Sequence, residues 1–142
     1  MGSQVATFFL DGLYFGVDVL QVQEVIRFQP MTRVPLAPAM VAGLINLRGQ
    51  IVTALDLRTR IGLSARPEGQ LPMNVVVRTS EGPFSLLVDL VGDVADIEGS
   101  RLEPVPHTVD RQVAALISGV CQLERGLLLV LDVERVVAVG HE

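Results

Sequence analysis

The sequence predicts an all-β protein with minor helix, built as two small barrels, and three observations lead there. The 142 residues are 49% hydrophobic and include 23 valines spread along the whole length, and valine favours strands over helices. Apolar residues recur with period two in short segments broken by glycine-containing turns. The chain also repeats itself: Gly43–Leu57 aligns without a gap to Gly119–Val133 at an offset of 76, with Gly43 on Gly119, Asn46 on Gln122 and Asp56 on Asp132.

Taken in order, Val5–Leu10 is the first strand and Asp11-Gly12 a hairpin tip, where glycine tolerates positive φ. Leu13, Phe15, Val17 and Val19 then share one face, opposite Tyr14, Gly16 and Asp18. Val22–Val25 is a polar-edged strand, and Val34-Pro35 follows it. Pro38–Ala42 makes one turn beginning on proline. The strand led by Gly43 turns at Arg48-Gly49 into a strand on which Ile51, Thr53, Leu55 and Leu57 alternate with Val52, Ala54 and Asp56. Arg58–Gly69, polar and carrying Gly62, Pro67 and Gly69, reads as a linker between halves.

The second half runs through the same series. Gly12–Asp18 finds its mate in Gly82–Asp89, Val22–Val25 in Val94–Ile97, and Val34-Pro35 in Val105-Pro106. Glu81-Gly82 and Arg125-Gly126 are its turns, and Phe84, Leu86 and Val88 alternate with Ser85, Leu87 and Asp89. Asn74–Arg78 and Leu127–Leu131 are apolar on both faces, which suits strands buried between layers. Asp132–Val139 closes the chain as a short helix capped by Asp132. Five short strands per half point to two barrels, which close on themselves and so leave no exposed sheet edge. Each half, near 70 residues, is marginal alone, so the two are expected to share an apolar seam.

Composition narrows the function. The formal net charge is −5, whereas nucleic-acid binding needs a basic face. All 11 basic residues are arginine, so planar forks are the only side-chain cations besides histidine that the surface can offer. The single cysteine, Cys121, excludes an internal disulfide and any multi-cysteine metal site, and His107 and His141 have no partners at ligand spacing. No apolar run approaches the roughly 20 residues that span a bilayer, and no basic-then-apolar start marks a signal peptide. The cytoplasm is the expected compartment. No phosphate-binding glycine loop and no nucleophile motif occurs. Cys121 falls inside a strand and reads as a small buried apolar residue. Asp18, Asp56, Asp89 and Asp132 recur at strand ends, which suits turn or cap duty better than acid–base chemistry. Neither catalysis nor a cofactor is expected.

Surface recognition remains, at three places. Asn46-Leu47-Arg48-Gly49 is either a plain solvated hairpin turn or an arginine fork held over a cleft for a partner's carboxylate or carbonyl; its repeat mate carries Glu124, so the halves differ in charge there. Val22-Gln23-Glu24 is either a protected edge strand or an apolar and acidic contact for a partner helix. Val75–Val77 reads mainly as core.

These residues carry a resemblance. Gly12–Asp18, Val22-Gln-Glu-Val25, Gly43-Leu-Ile-Asn-Leu-Arg-Gly49 and Leu55-Asp-Leu-Arg58, continued by Val88-Asp89, Val91-x-x-Val94 and Gly119–Asp132, resemble the CheW-like domain over residues 4–138. The resemblance implies two intertwined five-stranded SH3-like β-barrels. Read with the halves above, these would be about 11–70 and about 71–138, the second joined by strand 5–10. It implies a non-catalytic scaffold that bridges the cytoplasmic tip of chemoreceptors and the regulatory domain of the histidine kinase CheA, without cofactor, nucleic acid or membrane insertion. By matching position it implies contact roles for Val22 and Glu24, for Asn46, Leu47, Arg48 and Gly49 at the signature turn, and for Val75 and Val76 near the kinase contact. An adaptor of a pilus or developmental pathway, a stand-alone regulatory barrel, and an enzyme with an unrecognised site are the rival readings.

Overall fold

The computed structural model describes residues 4–98 and 101–138. Ten strands alternate with turns: β1 (Gln4–Leu10), β2 (Leu13–Asp18), β3 (Val22–Ile26), β4 (Val41–Leu47), β5 (Gln50–Asp56), β6 (Met73–Thr79), β7 (Gly82–Val88), β8 (Leu90–Asp96), β9 (Ile117–Leu123) and β10 (Gly126–Leu131). Among the described residues helix is confined to α1 (Leu57–Arg60), α2 (Arg111–Ala114), α3 (Val133–Val137) and a 3-10 turn over Val19–Gln21. The strands form two five-stranded sheets, in the orders β8-β1-β2-β10-β9 and β3-β6-β7-β5-β4.

Internal duplication is visible in the hydrogen bonding. Replacing each strand by its mate five places along converts the first order into the second. The parallel β10–β2 pairing reappears as β5–β7. The Asp56 N–H donates to the Met40 carbonyl at 2.8 Å, and 76 residues on the Asp132 N–H donates to the Leu116 carbonyl at 2.9 Å. The sheets are not, however, the halves of the chain. The second sheet is one continuous stretch, residues 22–88, and the first is assembled from what precedes and follows it. Each sheet thus takes the leading hairpin of one repeat and the last three strands of the other. The expected division near residue 70 falls inside the second sheet's stretch, and β2 lies beside β1 and β10, not beside β3. Crossing from one sheet to the other occurs at the 3-10 turn after Asp18 and at Asp89.

This arrangement explains the strands that are apolar on both faces. Val75 and Val77 of β6 and Leu129 and Leu131 of β10 enter a large central cluster with Phe8, Phe15, Leu55, Leu86 and Val133. The alternate side chains point into two smaller clusters: Leu128 and Val130 join Val5 and Cys121, and Val76 joins Ile45, Leu47 and Val52. Cys121 is a buried core thiol, as expected. Helices α1 and α3 close the central cluster with Leu57, Val133, Val136 and Val137. Each is started by a carboxylate at the same repeat position: Asp56 accepts from the Arg58 N–H and Asp132 from those of Glu134 and Arg135. The closing helix is therefore present, though Val139 lies outside the described residues. Asp18 ends β2 and caps the 3-10 turn, so Val19 is not the strand residue that alternation alone suggested. Pro38–Val41 is a turn closed by the Val41 N–H on the Pro38 carbonyl at 2.9 Å, from which β4 starts.

Candidate interaction surface

The β4–β5 hairpin brings four of the candidate residues to one point. Leu47 pairs with Gln50 across it, leaving Arg48-Gly49 as a two-residue loop with φ of 52° and 87°. Two successive positive φ angles give the turn whose twist matches the flanking strands, and at its first position a branched or long side chain is uncommon. Arginine is thus held in the left-handed region at some cost, as residues at functional sites often are. Asn46 locks the loop by accepting the Gly49 N–H on Oδ1 at 2.9 Å. Leu47 faces inward at 9% exposure and anchors the turn in the small cluster of Ile45, Val52 and Val76.

The Arg48 fork is not free. Nη1 donates to Glu24 Oε2 at 2.7 Å and Nη2 to Oε1 at 2.8 Å, a parallel two-point pairing that fixes orientation as well as distance. The hydrogen bonds from Arg48 hold the Glu24 carboxyl below its usual range, against a smaller upward push from desolvation. The Glu24 carboxylate in turn raises the guanidinium's pKa. The sequence offered Arg48 and Glu24 as two separate contacts; the structure joins them into one. The Arg48 side chain nevertheless stays 77% exposed against 16% for Glu24. Of the five N–H donors of an arginine fork, three therefore remain for another partner.

Glu24 sits on β3, an outer strand of the second sheet whose register against β6 shifts between Val22 and Glu24. Val22 is half-buried against the central cluster. Val25 and Ile51 are left open at 39% and 59% exposure. Val75 and Val76 lie one strand inward, at 1% and 0% exposure. Both side chains are core: Val76 stands opposite Glu24 and packs with Leu47 in the small cluster, while Val75 points into the central one.

Sequence reasoning missed a dense polar cluster. Arg58 and Arg66 fall in the polar segment read as a linker between halves, yet their side chains are 6% and 8% exposed. Both converge on Asp89. Arg58 donates to it from Nε at 2.9 Å and Nη2 at 2.6 Å, and Arg66 from Nε at 2.9 Å. Asp89 also accepts the backbone N–H of Asp11 at 2.8 Å. Burial pushes the Asp89 carboxyl up, but Arg58, the Asp11 amide and Arg66 together bring it down to about 2. The signal available was four like-placed strand-end aspartates, of which three serve as caps and this one does not.

Among the described residues no three His, Cys, Asp or Glu side chains are placed to hold a metal ion, and no helix is long and apolar enough to cross a membrane. A recess of about 520 Å³ is lined chiefly by apolar side chains including Leu13, Tyr14, Val109 and Leu127. Its one carboxylate, Asp110, caps α2. His107 is an exposed loop residue, and His141 lies outside the described residues.

Comparison with known proteins agrees with this fold. The chain is 25% identical over 138 residues to the chemotaxis protein CheW of Klebsiella aerogenes, covering 97% of this chain and 83% of that one. It is 27% identical over 135 residues to the CheW of Rhizobium meliloti, covering 95% and 87%. It is likewise 27% identical over 135 residues to that of Bacillus subtilis, covering 95% and 86%. The crystal structure of the scaffolding protein TtCheW from Thermoanaerobacter tengcongensis superposes with a TM-score of 0.84 at 25% identity, covering 100% of this chain and 97% of that one. The CheW-like domain matches residues 4–140, nearly the whole chain, and the chain belongs to the CheW family.

Proposed function

We propose that this chain is a non-catalytic chemotaxis adaptor that couples chemoreceptors to the histidine kinase CheA through protein contacts alone. The observation that carries the reading is the Arg48–Glu24 pair: a guanidinium raised on a left-handed turn, oriented at two points by an edge-strand carboxylate and still mostly open to solvent. A side chain held that firmly and left that exposed is suited to recognition, because its conformational freedom is already spent before a partner arrives. The receptor's helical hairpin tip and the kinase's regulatory domain are the partners we assign. An amphipathic helix could set its apolar face against Val25 and Ile51 while the remaining Arg48 donors meet a carboxylate or carbonyl. A chain with this function needs no cofactor, and an acidic adaptor of this kind belongs in the cytoplasm with the kinase.

The test is capture of the purified chain by the cognate kinase's regulatory domain and, separately, by a receptor tip fragment, for wild type and Arg48→Ala. Truncating an anchor of this type should weaken binding to at least one partner by about tenfold or more, with the thermal midpoint unchanged. Wild-type affinity for both partners, or a variant that melts far below wild type, would refute the assignment.

A further inference from the structure

We propose that the recess between the β1–β2 and β9–β10 hairpin tips is a binding site for a small monocarboxylate with an apolar tail. Its volume, about 520 Å³, is in the range that holds small ligands. Leu13, Val109, Val113 and Leu127 give it apolar walls, and Phe9 and Tyr14, stacked with ring centroids 5.2 Å apart, line it as well. The cation on the lining is Arg125, whose guanidinium carbon lies 4.9 Å from the centroid of the Phe9 ring. Arg125 pairs with no carboxylate among the described residues. Asp110, the carboxylate on the lining, accepts the Gln112 N–H at 2.9 Å and is open to solvent, so its charge is screened. Asp93 lies on a neighbouring recess that shares Phe9, Tyr14 and Arg125, without forming an ion pair to Arg125. An anion on an apolar body therefore finds walls for the body and an arginine fork for the charge.

Comparison of the two repeats separates the recess from what the fold requires. In the parallel pairings Leu129 stands beside Phe15, and its mate Thr53 beside Phe84, so Phe15 and Phe84 are equivalent. One step back, Tyr14 corresponds to Pro83, and their antiparallel partners Phe9 and Arg78 correspond as well. Arg125 corresponds to Gly49 at the offset of the repeat. The second sheet thus makes the same strand pairings without the aromatic stack and without the cation. The connection that walls the recess is also longer than its mate. It runs from Glu103, bridged to Val120, to Leu116, whose carbonyl takes the Asp132 N–H; the mate runs only from Thr32, bridged to Leu44, to Met40, whose carbonyl takes the Asp56 N–H. The longer stretch supplies α2 with Val113, and Val109 before it. A fold that forms twice and carries these three features once does not depend on them, and what they build together is the recess. The site lies on the first sheet and shares no residue with the Arg48–Glu24 turn on the second, so it goes beyond the adaptor reading.

The experiment follows Tyr14, the only tyrosine of a chain without tryptophan, by intrinsic fluorescence on the full chain, with the amide shifts of Gly12, Val109 and Gly126 as a second readout. The probes are octanoate and its neutral counterpart 1-octanol. Octanoate should change Tyr14 emission saturably and shift those amides, and 1-octanol should bind about tenfold more weakly, the share of one charge-assisted hydrogen bond. Arg125→Gln should bring the affinities of the two probes to within about twofold of each other and leave that of 1-octanol unchanged. Leu127→Glu, at a position already 38% exposed, should weaken both probes by about tenfold or more. No response at Tyr14 and at those amides overturns the proposal. So does octanoate binding that Arg125→Gln leaves at the wild-type value, or equal affinity of the wild type for the two probes. Amide shifts at the recess on adding the kinase's regulatory domain, with none on adding octanoate, also overturn it, because the recess is then a protein contact. Neither probe is aimed at the Arg48 turn, so failure here leaves the adaptor reading standing.

Discussion

Asp89→Asn has a stability cost that can be worked from the structure. The ordinary carboxyl pKa of 3.8 falls to about 2 in the folded chain. A difference of roughly 1.8 units at about 1.4 kcal/mol per unit corresponds to about 2.5 kcal/mol. The sign follows from linkage: the folded pKa is depressed, so the stabilisation is complete above about pH 4 and is lost as pH falls toward 2. Asparagine removes this contribution at neutral pH and also leaves Arg58 and Arg66 buried without their shared counter-charge, which raises the expected cost to about 3–5 kcal/mol. Urea unfolding of wild type and variant, followed from pH 7 to pH 2, is the assay. The two midpoints should lie far apart at pH 7 and converge below pH 4. A pH 7 difference under about 0.5 kcal/mol, the scale of an ordinary surface substitution, would refute the reasoning, as would a gap that stays constant with pH.

Glu24→Lys places two cations at the position of the present ion pair, so the Arg48 fork should lose its fixed orientation. Binding to receptor tip or kinase domain should fall as in Arg48→Ala, and undiminished binding by titration calorimetry would argue against a role for the pair. Gly49→Ala meets nothing within 4 Å of the added Cβ but keeps a φ of 87°, so its cost should be the backbone term alone, about 1–2 kcal/mol; a urea midpoint equal to wild type would show that the turn tolerates another geometry. Val76→Ala removes a side chain at 0% exposure from a small cluster and should cost about 2–3 kcal/mol. Partner affinity below the unfolding transition should be unchanged, and a specific loss of binding in a fully folded sample would return Val76 to the contact surface.

The features legible in the sequence were those written in local period and local repetition. Asn74–Arg78 and Leu127–Leu131 were read as strands covered on both faces, and Asn74–Val77 and Leu128–Leu131 are indeed buried throughout. The 76-residue offset was real down to single hydrogen bonds, and of the four strand-end aspartates read as turn or cap residues, Asp18, Asp56 and Asp132 are caps. Sheet membership was not legible. Alternation tells which face a side chain takes but not which strand its backbone meets, so β2 was grouped with the strands that follow it in sequence. Arg58 and Arg66 were read as linker because glycine, proline and charge surround them; their partner stands 31 and 23 residues away, beyond any local pattern. The Arg48–Glu24 pair spans 24 residues and was hidden for the same reason.

The enclosure of one sheet's sequence within the other's has a consequence for synthesis. As the nascent chain emerges, the β1–β2 hairpin appears first but finds its neighbours β8, β9 and β10 only after residue 90. Residues 22–88 can meanwhile complete a sheet unaided, since all five of its strands are by then available. The hairpin made before the other eight strands is thus enclosed only when the last three arrive, and through that interval the apolar strand β1 has an open edge.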